Sequence, residues 1–203
     1  MTLLTVVRVM VATAVLALAW EFPPLPPTYL SMGPPNKEAC TSSLKVDNLL
    51  ATVTLGNYPH ERAVIQQTLN LYAFIIDYQA WDRLERVLHP DIWADYTGYI
   101  GVVQGISQVT AGLQRAMARV TSQHALSTQI IDIASGGETA HSLTHYWATH
   151  WGTGEYYGQA LWAWATYDDH WIKNPVTGDW RIIKRINHQG GPWFGNTSIF
   201  GLT

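Results

Sequence analysis

Apolar positions in this chain follow two different periods, one after the other. From Pro59 onward, Val64, Ile65, Leu69, Tyr72, Ile75 and Ile76 recur at three- and four-residue spacings. That spacing predicts a helix with one apolar face. A second, short helix fits Trp81 to Leu88 and is predicted to stop at Pro90, which cannot continue it. A third fits Ile106 to Val120, with Ile106, Val109, Leu113, Met117 and Val120 on one side. Strands are predicted at about 92–97, 100–103, 124–134, 139–151, 156–171 and 179–189, with hairpin turns at Gly136-Gly137 and Pro175 to Gly178. Three helices and a long antiparallel meander predict an α+β fold, with the helices packed on one face of a curved, mostly antiparallel sheet.

The first 58 residues follow neither period. Arg8 precedes an apolar run from Val9 to Leu18, and Ala17-Leu18-Ala19 has the small-x-small form of a signal-peptidase site. Residues 1–19 therefore read as a signal peptide, which predicts entry to the secretory pathway. The alternatives are a signal anchor, or a cytoplasmic protein with a misassigned start. The run is short for a membrane span, so no stable span is expected after processing. Residues 20–58 carry Pro23, Pro24, Pro26, Pro27, Pro34 and Pro35 and read as an extended linker. The folded domain is expected over 59–203. Asn196-Thr197-Ser198 has the form of a glycosylation sequon.

Composition narrows the function classes. Hydrophobic content of 47% with 13% charged residues describes a globular chain. A net charge of −3 without any basic run argues against nucleic acid as a partner. The single cysteine, Cys40, excludes an intramolecular disulfide framework. Ten tryptophans and ten tyrosines fit either a large aromatic core or a pocket for flat, apolar ligands.

Several polar residues could carry chemistry. Asp77 ends an apolar helix, where it is either bonded to nearby backbone or one half of an acid–base pair. His124 opens a strand after Thr121-Ser122-Gln123. A carboxylate that fixes the imidazole tautomer would make it a base near neutral pH. Tyr96 ends the first strand and could donate a phenolic hydrogen bond to a carbonyl. Along 156–171, Trp162, Trp164, Thr166, Asp168 and His170 share one side of the strand. That side, aromatic at one end and polar at the other, reads either as a pocket wall or as an exposed polar strand end. Trp93 and Arg185 join Trp162, Trp164, Thr166 and Asp168 as candidate substrate-binding residues. His141, His145 and His150 match no zinc signature, so no metal is expected, although ligation across strands stays open. There is no Gly-x-Ser-x-Gly, P-loop or dinucleotide fingerprint.

Asp77, Ala80-Trp81-Asp82-Arg83-Leu84, Asp95-Tyr96, Ser122-Gln123-His124 and Gly178-Asp179-Trp180-Arg181-Ile182 together resemble the SnoaL-like branch of the NTF2-like superfamily. Within it they resemble most the scytalone dehydratase group and fungal SnoaL-like proteins. The resemblance implies a cone in which a strongly bent sheet surrounds a deep pocket closed by helices. It implies a cofactor-free dehydratase, isomerase or cyclase acting on a small apolar or aromatic, often polyketide-derived, compound. Many members are dimers or trimers, so a homodimer or homotrimer is expected. Position by position it implies Asp77 as the orienting aspartate, His124 as the acid–base histidine, Tyr96 as a carbonyl-polarising tyrosine and His150 as a second histidine; in the enzyme reading Asp168 joins His150 as the second proton-transfer group. The chain departs from the scytalone-type pattern at Ile76, where that pattern has tyrosine, and at Thr166 and Asp168, where it has serine and asparagine. A non-catalytic secreted carrier of an apolar ligand, and an interaction module with a filled cone, are the competing readings.

Overall fold

A computed structural model of the chain describes residues 46–201. The expected signal peptide, most of the expected linker and Cys40 lie outside the described residues. Among those described, no helix is long and apolar enough to cross a membrane.

Helix α1 (Val46–Thr52) falls within the segment expected to be linker. Its Leu49 is buried, and the Thr54 amide donates to Asp132 Oδ1 at 3.2 Å. Residues 46–58 therefore fold with the domain. One buried leucine in a short helix is too little periodicity to read from sequence.

Helix α2 (Pro59–Asp77) starts with proline at its first turn, where the missing N–H costs nothing. It buries Ile65, Leu69, Tyr72, Ala73, Ile75 and Ile76. A 3₁₀ turn (Trp81–Arg86) leads into β1 (Leu88–Tyr96), then β2 (Gly101–Gln104) and helix α3 (Ile106–Met117). Contrary to expectation, Pro90 lies inside a strand. It sits where the β1–β6 register shifts between Leu88 and Trp93, a place where a missing ladder N–H is tolerated.

Strands β3 (Val120–Ile133), β4 (Thr139–Gly152), β5 (Ala160–Lys173) and β6 (Trp180–Gln189) form the expected antiparallel meander. Gly137 takes φ 70° in the β3–β4 turn, a conformation open to glycine at little cost. The sheet order is β2-β1-β6-β5-β4-β3, and the short β7 (Phe194–Gly195) pairs with β5. The β1–β6 pairing is parallel, so the sheet is mixed, curled and unclosed. This is an α+β cone whose concave side holds the core.

Strand alternation sorts the sheet residues into two sets. The concave face carries Tyr146, Ala148 and His150 of β4, Ala163, Ala165 and Tyr167 of β5, and Asn187 and Gln189 of β6. The opposite face carries their sequence neighbours, among them the exposed Trp147 and Trp164.

Candidate active site

The concave face and the helices leave a cavity of about 590 Å³, mouth included. Ile76 of α2, Leu113 and Met117 of α3, and Trp193 and Phe200 of the C-terminal segment form apolar walls. The polar groups are His124, His150, Tyr72, Tyr99, Tyr146, Tyr167, Thr97, Asn187 and Gln189.

Asp77 and His124 meet at the end of α2 and the start of β3. The Asp77 carboxylate lies 2.6 Å from His124 Nδ1, accepts from the His124 amide at 2.8 Å, and accepts from Ser122 Oγ at 2.7 Å. Burial pushes the Asp77 carboxyl up, but the bonds and charge of His124, with Ser122, outweigh it and lower the pKa. A carboxylate on Nδ1 selects the tautomer with its proton there, which leaves Nε2 with a free lone pair. His124 itself lines the cavity, and its side chain is only 8% exposed. Such an imidazole can take a proton from a bound molecule.

His150 is paired with Ser122 across β3–β4, and its ring stands edge-on to that of His124 with centroids 5.5 Å apart. Burial, and then the charge of His124, push its pKa down to about 3. His150 is therefore neutral near pH 7, and its buried Nδ1 has no protein partner among the described residues. A neutral imidazole can orient a substrate by hydrogen bonding without adding charge.

The phenols form a second polar group. Tyr146 O–H donates to Asn187 Oδ1 at 3.0 Å, and its ring stacks on Tyr167 at 4.2 Å. Tyr72 and Tyr96 share a hydroxyl–hydroxyl bond of 3.1 Å. Burial pushes Tyr146 up to about 12 and raises Tyr72, Tyr99 and Tyr167 well above the usual phenol range. All four stay protonated and can donate. Beneath them Arg185 is fully buried, forked onto Asp169 by two bonds of 2.7 Å and sandwiched between the rings of Tyr72 and Tyr167.

The residues expected from sequence divide sharply. Asp77, His124 and His150 come together at the cavity. Tyr96 is buried one layer behind the wall, on Tyr72. Arg185 supports the floor and does not line the cavity. Trp162, Trp164, Thr166 and Asp168 project from the other face of β5, and Trp93 from the other face of β1. Asp168 contacts His141 at 2.7 Å and His188 at 3.3 Å there, so it cannot assist His150 across the sheet. The wall face is instead the alternate set of Ala163, Ala165 and Tyr167. Side chains converge on the concave side of a curled sheet, so small residues are what leave room. Sequence reasoning missed Tyr146, Tyr72, Tyr99 and Asn187. For Tyr146 a signal existed, since it shares a strand face with His150 at a spacing of four.

Comparison with known proteins agrees with this architecture. Residues 59–186 match the family model described as a SnoaL-like domain. The uncharacterized protein Rv2910c of Mycobacterium tuberculosis is 28% identical over 127 residues, covering 62% of this chain and 83% of that protein. Among solved structures, Kfla4162 from Kribbella flavida superposes with a TM-score of 0.61 at 20% identity, covering 69% of this chain and 96% of the other. A proposed scytalone dehydratase from Novosphingobium aromaticivorans gives 0.59 at 19% identity, covering 67% and 87%. The hexachlorocyclohexane dehydrochlorinase LinA-type3 from Novosphingobium barchaimii gives 0.56 at 15%, covering 75% and 94%. At such identities the structural likenesses speak for the fold alone. The match over most of the folded segment shows that this chain belongs to the SnoaL-like family, within the NTF2-like superfamily.

Proposed function

We propose that the protein is a cofactor-independent lyase or isomerase, dehydratase- or cyclase-like, acting on a small apolar and polyketide-like metabolite. The observation that carries this reading is the Asp77–His124 pair, whose free imidazole nitrogen belongs to a cavity rich in protonated phenols. His124 Nε2 takes the proton from a carbon next to a carbonyl. The electron pair moves into the carbonyl oxygen, which phenolic donors such as Tyr146 stabilise. In a dehydration, collapse of that enolate forms the new double bond as hydroxide leaves the neighbouring carbon, taking the proton back from His124 Nε2 to depart as water. Positioned proton transfer of this kind is typically worth ~10²–10⁴ in rate. The named activities of the proposed scytalone dehydratase and of LinA, both eliminations, support the same reaction class on this fold.

Ile76 on the cavity wall favours a second reading, that of a carrier. It puts a methyl-rich side chain where the scytalone-type pattern has a phenol. Deleting the gene in its host, then restoring it as wild type or as His124→Ala, separates the two. An enzyme leaves a precursor that only the wild type clears. A carrier restores the metabolite profile in either form, and that outcome removes the catalytic reading.

A further inference from the structure

The opposite face of the sheet carries a second cluster of histidines around an aspartate. His141 of β4 and His170 of β5 are direct cross-strand partners, and Asp168 lies two residues before His170 on the same face. Opposite residues on one sheet face are near enough for their side chains to meet, and diagonal neighbours lie within reach of long ones. The two imidazoles stack with centroids 4.5 Å apart and planes 7° from parallel. One donor atom each from His141, Asp168 and His170 lie within 4.8 Å of one another. His188 of β6 holds the second carboxylate oxygen of Asp168 at 3.3 Å. A surface hollow beside the cluster is lined by His141, His170 and Asp132, the cross-strand partner of His141.

We infer that His141, Asp168 and His170 form a binding site for a divalent transition-metal ion of the zinc class, held by two imidazoles and one carboxylate with His188 orienting the carboxylate. Three imidazoles around one aspartate exceed what that carboxylate needs for hydrogen bonding. Each neutral imidazole also brings a lone pair suited to a borderline-soft cation. Magnesium and calcium prefer sets of oxygen ligands, so they fit poorly. Tetrahedral zinc with bonds of about 2.0–2.1 Å sets its donors roughly 3.3 Å apart, so the stacked rings of His141 and His170 would turn out of parallel to bring both lone pairs onto one ion. Water would complete the coordination, because side chains of both His141 and Asp168 are partly exposed, at 30% and 18%. The bond from His188 to the unligated carboxylate oxygen is the kind of outer contact that orients a metal ligand.

The charges around the cluster pull in both directions. Burial opposes ionisation of Asp168, but hydrogen bonds from His141 and His188 hold its carboxyl well below the usual range. Lys184, cross-strand from His170 with its amine 5.5 Å from the Trp93 ring centroid, opposes a cation. Asp132 favours one. The site lies on the other face of β5 from Tyr167 and Asp169, which build the cavity floor. A bound ion would therefore brace the strand and supply no reaction step.

The test is a zinc chloride titration of the full chain after stripping with EDTA, followed by calorimetry and by thermal unfolding. One zinc per chain is expected, with a rise in the unfolding midpoint that EDTA reverses and with no comparable response to magnesium. His170→Gln is expected to weaken binding by at least ~10-fold, since loss of a ligand costs no less than the loss of an outer contact that orients one, and the His141→Gln/His170→Gln pair to abolish it. His124→Ala is expected to bind zinc as the wild type does, which separates this site from the cavity. Folding of each variant is checked by circular dichroism; should the pair not fold, His170→Gln alone decides. Absence of saturable zinc binding overturns the inference. So does stoichiometric binding that survives His170→Gln unweakened, or magnesium binding of equal strength.

Discussion

A histidine–aspartate pair stands on each face of the sheet, to different ends. On the concave face His124 lies 2.6 Å from Asp77; on the opposite face His141 lies 2.7 Å from Asp168. The first pair has side chains 8% and 12% exposed and belongs to a cavity; the second is 30% and 18% exposed beside an open hollow. Around His124 stand phenols that donate and a neutral His150. Around Asp168 stand two further imidazoles that can serve as ligands. A histidine bonded to an aspartate is therefore no signature of catalysis by itself. What surrounds the free nitrogen, a walled space with donors or a cluster of lone pairs, decides what the pair can do.

The largest expected effect falls on the concave pair. His124→Ala should lower kcat by ~10²–10⁴, while Trp164→Leu, on the other face, should leave kcat within twofold. Steady-state kinetics on the compound found by metabolite profiling checks both, and equal losses would break the distinction between the faces. Asp77→Asn should follow closely, by favouring the wrong imidazole tautomer; an unchanged pH–rate profile would make Asp77 merely structural.

Arg185→Met leaves the buried Asp169 without its partner on the concave side. Removing one member of a buried pair costs about 3–5 kcal/mol, to be read from urea unfolding. A loss under 1 kcal/mol would mean that the floor does not depend on the pair.

The pH dependence of stability sharpens the contrast further. His150 has a folded pKa of about 3 against 6.5 for an unperturbed imidazole. Below pH 6.5 the unfolded chain takes up a proton that the folded chain refuses. His150 thus costs no stability above pH 6.5 and progressively more as pH falls toward 3, at about 1.4 kcal/mol per pH unit at most. His150→Gln should flatten that slope in urea unfolding measured from pH 7 to pH 4; a slope unchanged by the substitution would mean that His150 charges in place. The smallest effect is expected outside the cavity at the exposed Val176, where Val176→Ser should change stability by roughly 0.5 kcal/mol or less, as surface substitutions usually do.

Much of the fold was legible because it follows local periods. The apolar stripe of α2, the hairpins at Gly136-Gly137 and Pro175 to Gly178, and the meander all depend on nearest-neighbour geometry. Pro90 misled because proline is read as a stop, whereas a register shift between strands far apart in sequence accommodates it. Helix α1 was missed because a buried Leu49 within seven residues leaves no apolar period to read.

For the site, residue type and order were enough to bring Asp77, His124 and His150 together as candidates. Alternation along β5 also divided its residues correctly into two sets. Which set faces the cavity depends on the direction in which the sheet curls, and that follows from all the strands and helices packed together. Bulky Trp162 and Trp164 suggested a wall, yet the concave side needs Ala163 and Ala165, because converging side chains fill the space unless they are small. The sequence by itself thus determined most of the elements, the fold class and the pairing of Asp77 with His124, all governed by short-range pattern or by paired chemistry. Only the tertiary structure decided that Tyr72, Tyr99 and Tyr146 supply the phenols at the cavity, that Tyr96 backs them from behind, and that Asp168 turns away to join His141, His170 and His188. Those outcomes depend on curvature and long-range register, which no local run of residues encodes.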